Sequence, residues 1–179
     1  MTEMLVTYLV LGGFAGLLAG LLGIGGGLVI VPILAGLFSA QHFPVGVLMQ
    51  LAVGTSLATI VVTSLSSLRA HHQRGGVQWP LVWQLSLGIV LGAWLGAAIA
   101  HNMSSHSLAR IFGVFELLVA AQMLLGKPPA AHRNVPERSR NLVAGGIIGA
   151  VSAVLGIGGG TLTVPYLSWH NIPMRQAVG

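Results

Sequence analysis

Seven apolar runs, separated by short polar segments, restrict the fold of this chain more than any other feature of its sequence. The runs cover residues 4–22, 28–38, 45–68, 79–100, 108–125, 141–155 and 161–167. Charged side chains make up only 6% of the residues, whereas they make up about a quarter of soluble domains. Such a chain suits the bilayer, where a helix satisfies its backbone hydrogen bonds within one segment. The sequence therefore predicts an all-α fold, a polytopic transmembrane helical bundle.

The basic residues lie in the gaps between the runs, and their distribution predicts the orientation of the bundle. A polar loop at Arg69–Gln78 contains two arginines, and the gap Lys127–Arg140 contains four basic residues. The intervening gap, His101–Ser107, has no Lys or Arg. Because two runs separate the basic gaps, both gaps lie on one side of the membrane. The positive-inside rule makes that side cytoplasmic.

The residue types that most enzymes and metal sites need are scarce in this chain. It has no Cys and no Asp, and its three acids are Glu3, Glu116 and Glu137. His71 and His72 are adjacent, so they cannot both face one way on a helix, and no HExxH occurs. An enzyme would need a nucleophile with a base, a pair of carboxylates or a bound metal. We therefore expect no catalytic residues, no metal site, no cofactor and no enzymatic activity.

An internal repeat divides the chain. Residues 12–32, GGFAGLLAGLLGIGGGLVIVP, align without gaps on residues 145–165, GGIIGAVSAVLGIGGGTLTVP, and about half of the positions are identical. Such duplication is common in secondary transporters. The predicted organisation is a first transmembrane repeat at 1–126, a basic cytoplasmic linker at 127–140 and the start of a second transmembrane repeat at 141–179. Since the second repeat is the shorter one, we expect a natural chain of about 250 residues, of which this is a truncated form.

The relation between the repeats depends on the short apolar run that follows each glycine motif. A short run that crosses the bilayer would put five spans between equivalent points, which makes the repeats inverted. A run that only breaks or re-enters would leave four spans, which makes them parallel. The sequence leaves both alternatives open.

The GIGGG motif, present once in each repeat, is the main candidate for a binding site. Its glycines disfavour a regular helix, because each costs about 1 kcal/mol relative to Ala. Freed backbone N–H groups and the positive end of the following helix would attract an anion without a charged side chain. Gly12, Gly16 and Gly20, spaced four apart, are instead expected to pack against another helix. The predicted substrate-binding glycines are Gly23, Gly25, Gly26, Gly27, Gly156, Gly158, Gly159 and Gly160.

Polar side chains within the apolar runs extend the candidate site. The hydroxyls of Thr55 and Ser56 either donate to an anion or bond back to a carbonyl one turn earlier, and the sequence favours neither. Gln50 and Gln176 hold matching places in the two repeats, so their amides are further candidates for substrate binding. Glu116 is the only acid within an apolar run, which makes it the candidate for proton coupling.

Two features of the sequence resemble the sulfite exporter TauE/SafE family. One is the duplicated pattern G-x-GGG-xxx-VP, present as GIGGGLVIVP and GIGGGTLTVP, and the other is the segment 52–79, AVGTSLATIVVTSLSSLRAHHQRGGVQW. The resemblance implies a multi-pass protein of the bacterial cytoplasmic (inner) membrane that moves sulfite, sulfonates or related small sulfur-containing anions. It also implies functional roles for Pro32, Thr55 and Ser56, besides the two glycine motifs. The chain departs from the family pattern at its C-terminus, where the second A-x-G lacks the Thr-Ser continuation.

The sequence and the resemblance together favour a secondary transporter, a permease or exporter, of small anions, with sulfite or organosulfonates as the implied substrates. Two glycine-broken segments would face each other near the midplane while the halves rock around them. A passive anion channel and a non-transporting membrane partner protein are the alternatives. The expected partners are the lipid bilayer and a small anionic substrate, and a homo-oligomer is compatible with the sequence. We expect no nucleic-acid partner, because the net charge of +5 comes from residues in the polar gaps.

Overall fold

Seven helices form the part of the chain that the structure describes. The computed structural model describes residues 2–22, 26–125, 138–170, 172 and 177. For residues 2–5, 7 and 18–22 it describes only the backbone. The helices are α1 Thr2–Leu22, α2 Gly27–Ala40, α3 Leu48–Gln73, α4 Trp79–Asn102, α5 Ser105–Leu125, α6 Arg138–Leu155 and α7 Gly160–Trp169. Three of them, α3, α4 and α5, are long and apolar enough to cross a membrane. The predicted all-α transmembrane bundle is confirmed, with one helix for each apolar run.

α3 extends further than the sequence predicted. The loop expected at Arg69–Gln78 begins only after Gln73, because the first glycine of this stretch is Gly75. Gly75 has φ +65°, and its N–H donates to the His72 carbonyl at 3.0 Å, which terminates the helix. The 26 residues of α3 span about 39 Å, more than the hydrocarbon core of roughly 30 Å. Its polar last turns therefore have room to extend beyond the apolar layer.

Two hydrogen bonds place the beginnings of α3 and α5 at the same end of the bundle. The N–H of Met49 donates to Ser105 Oγ at 3.0 Å, and Gln50 Nε2 donates to the Met103 carbonyl at 2.7 Å. Met103 follows the last residue of α4, so α3, α4 and α5 run in alternating directions. We call this the Met103 end of the bundle, and the opposite end, where α3 leads into α4, the Gln78 end.

α6 and α7 form a helical hairpin. Gly159 lies beside Ile148, because a Cβ built on Gly159 would be 3.7 Å from Ile148 Cγ2. Seven residues after Gly159, the hydroxyl of Tyr166 donates at 2.9 Å to Oδ1 of Asn141, which is seven residues before Ile148. The two helices are therefore antiparallel, and α7 returns to the end from which α6 starts.

α4 and α6 pack backbone to backbone and run in the same direction. Gly88 faces Leu142 and Gly96 faces Ala150, and a Cβ built on either glycine would overlap the facing carbonyl oxygen. Since both helices advance by eight residues between these contacts, they are parallel, and α6 begins at the Gln78 end like α4. Near that end, Leu167 of α7 packs in a small apolar cluster with residues of α4. The α6–α7 hairpin therefore enters the bundle from the Gln78 end.

α1 and α2 form a second hairpin, which enters from the other end. Gln41, which follows α2, donates through Nε2 to the hydroxyl of Tyr8 in the second turn of α1, at 2.9 Å. The chain then turns directly into α3, which begins at the Met103 end. The α1–α2 hairpin therefore enters from the Met103 end, and the two hairpins approach each other from opposite ends of the bundle.

The directions of the two hairpins determine how the two repeats are related. Each hairpin begins and ends at one end of the bundle, so it adds no net crossing. Within the described residues, α3, α4 and α5 are the three crossings between the hairpins. An odd number of crossings reverses the second hairpin relative to the first. The two hairpins therefore have the opposite orientations of inverted repeats, whether or not α2 and α7 reach across the membrane.

The main apolar core lies where both hairpins meet α3 and α5. Val31, Ala52, Leu108 and Ile157 come from four different segments, and each is at most 1% exposed. In a membrane, helices gain little from excluding water and associate mainly through close packing. The position of the hairpin tips is therefore set by the shape of this core.

Candidate functional site

The two glycine motifs meet at the tips of the hairpins. Gly27, the last residue of the first motif, lies against the backbone of Gly156 and Ile157 in the second. A Cβ built on Gly27 would overlap the carbonyl oxygen of Gly156 and the Cα of Ile157. Glycine therefore lets the first turn of α2 rest directly on the break between α6 and α7. We call Gly27, Ser56, Gly156 and Ile157 the hairpin junction.

Gly156 ends α6 in a conformation that favours glycine. Its φ is +70°, and the N–H of the next residue, Ile157, donates to the Ser152 carbonyl at 3.1 Å. This is the Schellman arrangement, in which a left-handed residue terminates a helix. A Cβ at Gly156 would also lie 3.0 Å from the Cα of Val53 and 3.1 Å from Val31 Cγ2. The break in the second motif is therefore fixed by its own backbone and by α2 and α3.

Ser56 connects α3 to this break. Its side chain is completely buried, and its hydroxyl donates to the carbonyl of Gly156 at 2.8 Å. The sequence offered an anion or a carbonyl one turn earlier as partner; in this structure the hydroxyl reaches neither a carbonyl of its own helix nor a side chain, but the backbone of the other hairpin tip. Thr55 is exposed and lies outside the junction. Back-bonding within α3 is found instead at Thr59, whose hydroxyl donates to the Ser56 carbonyl at 2.7 Å.

Two helices begin at or close to the junction, each with the positive end of its dipole there. α2 begins at Gly27 and runs to the Met103 end, whereas α7 begins at Gly160 and runs to the Gln78 end. The residues that precede them, Gly26 and Gly159, provide no side-chain cap. The first N–H groups of a helix have no carbonyl partner within it, and they carry partial positive charge. Chemically, this arrangement suits a small anion between the two hairpins.

The other predicted site residues are distributed around the junction or lie apart from it. Gly158 lies near the side chain of Ile60 on α3, and Gly160 is exposed. Gln50 is at the Met103 end, where its Oε1 is buried without a hydrogen-bond partner among the described residues. Glu116 lies in a separate cavity between α2 and α5. The predicted residues Gly23, Gly25 and Gln176 lie outside the described residues.

Among the described residues, close helix packing involves other glycines than those whose spacing predicted it, and the surroundings of Gly20 lie outside the described part. No described atom lies within 4 Å of a Cβ built on Gly12 or Gly16, so neither makes the close contact that their spacing predicted. The close contact instead involves Gly88, Gly92 and Gly96 of α4, which recur at every fourth position. That spacing is a known signal for close helix packing and could have identified these glycines.

A buried polar cluster between α4, α6 and α7 was also missed. Asn141 is completely buried, its Nδ2 donates to Gln84 Oε1 at 2.7 Å, and its Oδ1 accepts the bond from Tyr166. The Tyr166 ring also contacts His170, with 4.6 Å between the ring centroids. These residues hold the far end of α7 against α4 and α6. No local pattern signals such a cluster, because its members are far apart in the sequence.

Similarity to known proteins extends over almost the whole chain. Residues 8–179 match the family described as Sulfite exporter TauE/SafE. A probable membrane transporter protein of Haemophilus influenzae is 38% identical over 173 residues, which cover 96% of this chain and 65% of that protein. Probable membrane transporter proteins of Methanocaldococcus jannaschii and Bacillus subtilis are each 31% identical, over 98% and 89% of this chain and 66% of their own length. No solved structure matches the chain.

The chain spans about two thirds of the length of these curated relatives. The matched residues include both glycine motifs and all helices from α2 to α7, and thus the whole described part of the hairpin junction. The family expected from the duplicated G-x-GGG-xxx-VP pattern is therefore confirmed. This chain belongs to the sulfite exporter TauE/SafE family of membrane transporters.

Proposed function

We propose that the protein is a secondary transporter of small anions, with sulfite or an organosulfonate as substrate. The observation that carries this proposal is that α2 begins at the hairpin junction and α7 begins three residues after it. An anion there would be held by backbone N–H groups and helix dipoles, and the described part of the chain places no Lys or Arg at the junction. Release is then easier than from a site built on Lys or Arg. Moderate binding of this kind suits a transporter, which must let its substrate leave.

The opposed hairpins support an alternating-access mechanism. We assign the Gln78 end to the cytoplasm, because Arg69, Arg74, Arg138 and Arg140 lie near it and basic loops stay inside. The α6–α7 hairpin then faces the cytoplasm, and the α1–α2 hairpin faces the other side of the bacterial inner membrane. Movement of one hairpin tip away from the other would open the site to one side at a time. The two units are then inverted repeats, as in several transporter folds.

The direct test is transport by the purified full-length protein in proteoliposomes. We expect saturable uptake of at least one of labelled sulfite, sulfate and a small sulfonate, above the level in protein-free vesicles. Conductance that does not saturate and shows no exchange would indicate the alternative, a passive anion channel. Absence of flux for all three anions from folded protein would contradict the proposed substrates and favour a partner protein without transport activity. No enzymatic turnover is expected, since the chain has no Cys and no Asp.

Cysteine labelling tests the sidedness of the hairpins, and the natural absence of Cys gives a clean background. We expect Ser39→Cys, at the end of α2, to react with an impermeant maleimide from the same side as the control His106→Cys. Ser139→Cys and Trp169→Cys, at the two ends of the α6–α7 hairpin, are expected to react only from the opposite side. All four positions are exposed in the structure. Labelling of Trp169→Cys from the His106 side would mean that α7 crosses, and would contradict the hairpin.

A further inference from the structure

A cavity of about 600 Å³ that is open to the surface lies beside the hairpin junction, between α2 and α5. Leu28 and Val29 of α2 form one wall, and Glu116 with its neighbours on α5 forms the other. All lining residues other than Glu116 are apolar or glycine. Glu116 is also the twelfth of the 21 residues of α5, and thus in the middle of a helix long enough to cross the membrane. The cavity therefore presents a single carboxyl group to an apolar space at mid-membrane depth.

The charge of Glu116 depends strongly on its surroundings. An ionised carboxylate in an apolar environment is costly unless it is paired or reached by water. Among the described residues, no other titratable side chain lines the cavity. α2 contains none, and the titratable residues elsewhere on α5 and on the helices packed against it lie outside the cavity: His106, Arg110, Arg69, His71, His72, Arg138 and Arg140. When water gains or loses access to the Glu116 carboxyl group, the relative free energies of its ionised and protonated forms change, so the group releases or takes up a proton.

The cavity wall is mechanically connected to the hairpin junction. Leu28 and Val29 directly follow Gly27, which rests on Gly156 and Ile157. Any displacement of the α1–α2 hairpin tip from the junction must therefore move the wall that faces Glu116. That movement changes the access of water to the carboxyl group and hence the free-energy difference between its protonated and ionised forms. By linkage, protonation must in turn shift the equilibrium between hairpin positions.

We propose that Glu116 is a proton-binding site that couples anion movement to the proton gradient. The inference rests on the proposed transport function and names its coupling ion. The carboxylate takes up a proton while the cavity is open to water on one side and releases it after the hairpin tip has moved. No bond other than the O–H bond forms or breaks. The cavity holds the proton site, whereas the anion occupies the junction next to it.

The test compares Glu116→Gln with the wild type in proteoliposomes that contain the anion found to be transported. Gln keeps the shape of the side chain but cannot exchange a proton. We expect Glu116→Gln to lose anion accumulation driven by a pH gradient, together with the associated proton movement reported by a trapped pH dye. Exchange of labelled for unlabelled anion without a gradient is expected to persist. Arg110→Gln, which removes a charge on the same helix outside the cavity, is expected to retain all three activities.

Gradient-driven accumulation that is unchanged in Glu116→Gln would overturn the proposal, as would accumulation in the wild type that follows a Na⁺ gradient instead of pH. Loss of exchange together with accumulation, in a variant that elutes as a monodisperse peak, would also overturn it, because Glu116 would then serve the anion step. If the wild type moves no anion, the proposed transport function is contradicted. Infrared spectroscopy then tests separately whether Glu116 binds a proton. A carboxyl band that changes with pH and is missing in Glu116→Gln supports proton binding, and its absence overturns it.

Discussion

Replacement of Gly92 by Ala is expected to give the largest loss of stability among single Gly→Ala variants at the described glycines. A Cβ at this position would overlap the carbonyl oxygen of Gly146, and the carbonyl carbon and Cα of Gly146 would lie only 2.7 and 2.8 Å away. All three atoms belong to the backbone of α6, so no side-chain rotation can make room. The helices must separate, which forfeits close packing, the main attraction between helices in a membrane. Overpacking of this kind costs about 1–3 kcal/mol, occasionally more.

The measurement is the apparent melting temperature in detergent, with Gly54→Ala as the matched control. Gly54 is also within a crossing helix, but no described atom lies within 4 Å of a Cβ built on it. Because Ala is a better helix former than Gly by about 1 kcal/mol, the control should melt at or slightly above the wild-type temperature. Gly92→Leu is expected to prevent folding altogether. Equal melting temperatures for Gly92→Ala and Gly54→Ala would show that α4 and α6 are not in backbone contact.

Replacement of Gly27 by Ala is expected to give the largest loss of transport. The added methyl group would overlap the Gly156 carbonyl oxygen and Ile157 Cα, so the two hairpin tips could not close on each other. The closed junction would be disfavoured by about 1–3 kcal/mol, which corresponds to roughly a tenfold to hundredfold change in an equilibrium constant. If both hairpins must close around the anion in each cycle, the initial rate of uptake should fall by a similar factor. Thermal stability should change less than in Gly92→Ala, because helix contacts away from the tips remain.

Gly36→Ala is the control for this experiment, since it places the same substitution on the same helix. Gly36 is exposed, and a Cβ built on it has no described neighbour within 4 Å. Its uptake rate should match the wild type. Uptake by Gly27→Ala at the rate of Gly36→Ala would mean that the tips do not need to touch, and the junction would lose its place as the transport site. Both variants should first be compared by size-exclusion chromatography, so that a folding defect is not counted as a transport defect.

The two predictions concern different roles of glycine in one fold. Gly92 joins two helices that run in the same direction along their length, whereas Gly27 joins two tips that are expected to part during transport. The first contact is part of a continuous stripe with Gly88 and Gly96, so it is unsuited to opening. The second is a single point beside a backbone break at Gly156 with φ +70°. Loss of stability and loss of transport should therefore separate between the two sites.

The sequence determined the helices and their approximate limits. Each apolar run became one helix, because a run of this composition must satisfy its backbone hydrogen bonds within itself in an apolar medium. The sequence also located both breaks, since a glycine motif followed by a short run with proline is a local signal. The same duplicated motif identified the family. These are properties of residues that are close together along the chain.

The tertiary structure alone decided which elements meet. Hydropathy shows that a side chain prefers an apolar environment, but lipid and the protein interior are equally apolar. It therefore does not show which side chains face lipid and which face another helix. The repeat therefore gave no means to see that Gly145 and Gly149 contact α4, whereas their counterparts Gly12 and Gly16 have no described neighbour. The bond from Ser56 to Gly156 joins residues 100 positions apart, and the cavity at Glu116 combines two helices that are not adjacent in sequence. The hydrophobic pattern of a helix is the same whichever way the helix runs through the membrane. Only contacts such as these could therefore show that the two hairpins point in opposite directions.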